Sequence, residues 1–109
     1  MGMDVNKLMQ QVGEMQEQMQ KAQDELEHAT VESSAGGGMV TVTANGAGDI
    51  QQIKIDPKAI DPSDPEMLAD MVLAAVNEAI RSARSLQETK LGGLAGGALG
   101  GLGLPGLGQ

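Results

Sequence analysis

Apolar residues recur along the first quarter of the chain at alternating intervals of three and four: Val5, Leu8, Val12, Met15, Met19, Ala22, Leu26 and Ala29. That spacing predicts a helix over residues 4–29 with a narrow coiled-coil-like seam, Gln, Glu and Lys filling the positions between. Asp4 is a fitting N-cap. Gly13 lies off the seam and costs about 1 kcal/mol against Ala in a helix interior. A seam this long requires a helical partner, and the pattern leaves two open: the other long helix of the same chain, or the first helix of a second chain.

The period then changes. Thr30–Ser34 reads as a short polar strand, followed by a flexible break at Gly36-Gly37-Gly38. Val40, Val42 and Ala44 alternate with Thr41 and Thr43, the period of a half-buried strand. Asn45-Gly46-Ala47-Gly48-Asp49 predicts a five-residue hairpin loop from residues that tolerate positive φ. The return strand places Ile53 and Ile55 on the buried face, with Gln52 and Lys54 outside. Ile50 is out of phase with them and marks a bulge or a second contact surface. Asp56-Pro57 ends the sheet, and Pro57–Ile60 reads as one helical turn. A second long helix starts at Ser63-Asp64-Pro65-Glu66, either through a capping box from Ser63 or with Asp64 as cap and Pro65 at the first position. Its apolar stripe is Leu68, Val72, Ala75, Val76, Ala79, Ile80, Ala83 and Leu86, running to about Lys90, and its alanines permit close packing. Residues 92–109 are half glycine and predict a disordered tail. The expected fold is α+β: a long N-terminal helix, a three-stranded antiparallel sheet and a long C-terminal helix, in the order α-β-β-β-α. One folded unit spans 1–91, with the tail at 92–109.

Length and composition narrow the function. Of 109 residues only about 90 are fit to fold, a size that is marginally stable alone. There are no cysteines, so disulfides and thiolate zinc sites are excluded. Oligomerisation, as a dimer, is the remaining source of stability. No apolar run approaches a membrane span, and the N-terminus lacks the basic start and apolar stretch of a signal peptide. Gly2 lacks the Ser or Thr that myristoylation requires. The chain is read as cytoplasmic, with no membrane partner.

Catalytic and metal chemistry find no support. His28 is the only imidazole, on a polar helix flank beside Asp24 and Glu25, with neither pocket nor nucleophile in view. Asp56, Asp61, Asp64 and Asp70 lack calcium-loop spacing, and the first three suit turns and caps. The triple glycine precedes a strand, whereas a phosphate loop leads into a helix N-terminus. No enzyme, cofactor, metal site or small-molecule substrate is expected. Met15 and Met19 belong to the seam, while Met9, Met67 and Met71 suit an oligomer surface.

The chain has no Phe, Tyr or Trp, hence no stacking platform for single-stranded bases. Its net charge is −8, so any contact with DNA rests on local charge. Residues 1–29 carry −4, 30–56 carry −2 and 57–76 carry −3; only 77–109 turn positive, at +1. Arg81 and Arg84 share one face of the second helix with Asn77, opposite the apolar stripe.

The order of these pieces resembles the YbaB/EbfC family of bacterial nucleoid-associated proteins. The stretches that carry the resemblance are Leu8 to Met19, Gly37–Val42 followed by Asn45-Gly46, Ile53–Pro57, Asp64–Leu68 before Ala75–Ala79, and the Gly/Leu-rich tail. It implies a tweezer-like homodimer whose strands form the middle and whose long helices project as arms around double-stranded DNA. It also implies a nucleoid location, altered DNA conformation and an influence on gene expression. The DNA-contacting residues it implies are Lys7 and Lys21 on the first helix and Arg81, Arg84 and Lys90 on the second, with Lys54 on the sheet as a weaker one. Val40, Val42, Ile53 and Ile55 would serve the core or dimer contact. With so few cations, binding is expected to be micromolar, sequence-independent and salt-sensitive. The alternative is a non-enzymatic, chaperone-like clasp whose acidic arms hold a basic client protein.

Overall fold

The computed structural model describes residues 4–101, with side chains for 4–93. Helix α1 spans Val5–His28, strands β1, β2 and β3 span Thr30–Ala35, Val40–Asn45 and Ile50–Ile55, and helix α2 spans Pro65–Gly101. A single 3-10 turn, Pro57–Ala59, joins the sheet to α2. The expected α-β-β-β-α order is present.

Each boundary has a local cause. The Asp4 carboxylate accepts the Lys7 amide at 3.2 Å and caps α1. At the start of α2, Asp64 accepts the Met67 amide at 3.2 Å, with Pro65 as the first helical residue. Ser63 instead turns back, its amide and hydroxyl both donating to Asp61. Two bonds to one carboxylate, the hydroxyl's first, hold the Asp61 pKa below its ordinary value. The triple glycine forms the β1–β2 turn together with Met39, all three residues at positive φ. Gly36 has a further constraint, because a Cβ there would run into the Met71 thioether.

The sheet is antiparallel in the order β1-β2-β3. Its register aligns Ser33 with Val42 and Ile53, and Ala35 with Val40 and Ile55. The β2–β3 ladder shifts between Thr43 and Ala44, which brings Ile50 opposite Ala44. The bulge thus restores the out-of-phase Ile50 to the face of Ile53 and Ile55.

α2 lies mainly across β1 and β2. Val40, Val42 and Ala44 are buried against Ala75 and Ala79, with Val31, Ala35, Leu68, Met71, Val72 and Val76 around them. The sequence expects Ile53 and Ile55 to be buried as well. They occupy the same face as Val40 and Val42, yet they are 43% and 39% exposed. The cause is geometric: α2 is offset toward β1 and barely reaches β3, so among the described residues no helix buries them.

The α1 seam is covered only in part within one chain, and the choice between its two expected partners stays open. Ala22 and Leu26 are buried, whereas Val5, Leu8, Val12, Met15 and Met19 are all exposed. Among the described residues, only the last two turns of α1 carry buried side chains. α2 also runs past the expected stop near Lys90, through to Gly101. The remainder of the expected tail, 102–109, lies outside the described residues.

The radius of gyration is 20.7 Å, against about 13 Å for a compact chain of this length. Its extents are 78 × 28 × 16 Å. The length comes from the helices: 24 residues of α1 reach about 36 Å and 37 of α2 about 55 Å.

Candidate nucleic-acid interface

α1 and α2 form an antiparallel arm beyond the end of the sheet. Glu25 pairs with Lys90, while Gln18, further from the sheet on α1, lines the same cleft as Gly93, beyond Lys90 on α2. Between them lies an open cleft of about 330 Å³ lined by Gln18, Lys21, Ala22, Glu25, Lys90 and Gly93. The Lys90 ammonium lies 2.7 Å from the Glu25 carboxylate. That hydrogen bond, reinforced by the charge of Lys90 and to a lesser degree Lys21, lowers the Glu25 pKa from its ordinary value of 4.5.

The expected DNA-contacting side chains do not gather into one patch. Lys7 and Lys21 are exposed on α1, two heptads apart and therefore on one stripe about 21 Å long. Glu14 sits midway along that stripe. Arg81 and Arg84 are exposed where α2 leaves the sheet to enter the arm. Arg81 is engaged by Glu78, one turn before it, through Nε at 3.0 Å and a second nitrogen at 2.6 Å. Among the described residues, Arg84, Lys7, Lys21 and Lys54 have no carboxylate within ion-pair distance. Lys54 stands apart from the arm, beside Thr41 on the polar face of the sheet that α2 leaves open. Val40 and Val42 are fully buried under α2, and Ile53 and Ile55 form the uncovered remainder of that apolar face.

Several pairings shape this surface, and sequence pattern announces only some of them. Glu78 and Glu25 occupy two of the expected cations. The first pairing is legible as an i, i+3 spacing; the second joins positions far apart in the chain. Gln87 donates to the Gly46 carbonyl at 2.8 Å, a contact spanning 41 residues with no local signature.

His28 lies on the exposed flank of α1, its Nδ1 2.7 Å from the Asp24 carbonyl oxygen. Among the described residues no group of three or more His, Cys, Asp or Glu side chains is arranged to hold a metal. No described helix is long and apolar enough to cross a membrane.

Comparison with known proteins agrees with the fold and places the chain. The crystal structure of an uncharacterised Helicobacter pylori protein superposes with a TM-score of 0.75 at 21% identity, covering 86% of this chain and 99% of that one. A nucleoid-associated protein of Saccharopolyspora erythraea is 49% identical across 95% of this chain and 94% of its own length. One from Pelotomaculum thermopropionicum is 50% identical, with 98% of each chain covered. The profile of the YbaB/EbfC DNA-binding family matches residues 1–98. The chain therefore belongs to the YbaB/EbfC DNA-binding family.

Proposed function

We propose that this protein is a nucleoid-associated homodimer that binds double-stranded DNA mainly through phosphates, altering DNA conformation and contributing to nucleoid organisation and gene regulation. The observation that carries this reading is the arm itself. Two helices project beyond the sheet with Lys7, Lys21, Arg81 and Arg84 facing solvent, in a member of a DNA-binding family. The names of its relatives agree with a location in the nucleoid. Phosphate contact is favoured over base readout because the cations are few and dispersed, and point charges on flexible stems track a backbone without discriminating bases. The surface acids keep binding weak, in the micromolar range of non-specific complexes.

Dimerisation is supported by the apolar surface that one copy leaves bare: Ile50, Ile53 and Ile55 on β3 and the α1 seam from Val5 to Met19. A second copy is the occupant that composition favours, since the chain has no cysteine for a disulfide and among the described residues no cluster is arranged to hold a metal. The test is a gel-shift titration with unrelated duplexes at low and near-physiological salt, alongside Arg81→Glu/Arg84→Glu. Binding to every duplex, weakened by salt and by the double substitution, is expected. No shift at tens of micromolar protein in low salt would sink the DNA reading and favour an acidic clasp for basic proteins.

A further inference from the structure

Three elements meet at Gly46, in the β2–β3 turn. Its amide donates to the Ala29 carbonyl at the end of α1, at 3.0 Å. Its carbonyl accepts the Gln87 side-chain amide from α2 at 2.8 Å. The approach is so close that a Cβ on Gly46 would lie 2.6 Å from the Leu26 carbonyl oxygen and 3.1 Å from the Leu26 Cα. Those are backbone atoms and cannot swing aside.

The turn is itself stiff. Asn45, buried at its base, exchanges backbone bonds with Asp49 and Gly48, accepts the Asp49 amide on its side-chain oxygen at 2.9 Å, and donates to the Asp49 carboxylate at 3.3 Å. Gly46 is therefore a fixed pin, joined to α1 on one side and α2 on the other. Beyond this junction α1 is held by the apolar contacts of Ala22 and Leu26 and by the exposed Glu25–Lys90 pair. An exposed pair contributes little. Lys7 lies about 28 Å along the helix from Leu26, so each rotation of about 5° at the junction displaces it by about 2.5 Å.

We propose that Gln87 is a positioning residue: through the Gly46 carbonyl it fixes the angle between α1 and α2, and so the spacing of Lys7 and Lys21 from Arg84. This rests on the DNA-binding reading for its consequence but not for its geometry, and the two are separable by experiment. The chain lacks cysteine, so Gln10→Cys and Ser85→Cys, at exposed positions on α1 and α2, can carry a pair of spin labels. Diluting labelled copies in excess unlabelled protein isolates the distance within one chain.

With Gln87 intact, a single narrow distance distribution is expected. Gln87→Met, similar in size but without a donor, should broaden it while leaving helix content by circular dichroism unchanged. Gln87→Lys, which restores a donor, should narrow it again. In unlabelled protein, Gln87→Met should weaken duplex binding by about threefold to tenfold, the scale of one lost hydrogen bond. An unchanged distance distribution in Gln87→Met would overturn the proposal, and a broadened one with undiminished DNA affinity would overturn its consequence for DNA binding. A broadened distribution in a protein that binds no DNA even with Gln87 intact would uphold the positioning role and remove the DNA reading instead.

Discussion

At Arg81 two carboxylate contacts from Glu78 occupy a guanidinium that phosphate would otherwise meet. Arg84, one turn further along α2, has no such partner among the described residues. The two arginines are therefore not equivalent, although both lie on the exposed face of α2. Glu78→Gln releases Arg81 and removes a like charge from the approach of DNA, so duplex affinity at low salt should rise by about threefold to tenfold, with a steeper salt dependence. A gel-shift series across salt concentrations checks both quantities. Arg84→Ala alone should lower affinity more than Arg81→Ala alone.

Among the elements, α1 and α2 differ in how their pairing is secured, and acid exposes the difference. Because Lys90 lowers the folded-state pKa of Glu25, the charged pair contributes stability above the ordinary value of 4.5 and loses it as pH falls through the lowered value. Lys90→Met removes that dependence. The difference in denaturation midpoint between parent and variant should be constant above about pH 5 and shrink on acidification below it. Urea titrations at stepped pH measure this directly.

Much of this element-level organisation was legible beforehand. The 3-4 spacing defined α1, the alternation of Val and Thr defined β2, and Asp64-Pro65 marked the start of α2. What remained hidden was non-local. Periodicity states which residues share a face but not whether another element reaches that face. Val42 and Ile53 are aligned in register and equally apolar, yet one is fully buried and the other is 43% exposed because α2 is offset toward β1. The candidate site shows the same division. The cations and their helices were readable, but the Glu25–Lys90 pair and the Gln87–Gly46 bond join segments that only the fold brings together.

For the whole molecule, the uncovered face of β3 and the bare α1 seam are the surfaces that a second copy would bury. Ile53→Glu/Ile55→Glu places two carboxylates where that contact would form. Sedimentation equilibrium should then report a monomer for the variant and a dimer for the parent, and the variant's thermal midpoint should be independent of protein concentration. A parent that is itself monomeric at all concentrations would count against the homodimer.

The edge position of β3 carries one more consequence. A bare outer strand with apolar neighbours is a template onto which further strands can add without limit, giving fibrous polymer in place of a closed pair. Here the strand is six residues long, bulged near its start, charged at Lys54 and followed at once by Asp56-Pro57, where the proline has no amide to offer. A charge at Lys54 and a proline just beyond the strand are features that would keep association at this edge finite.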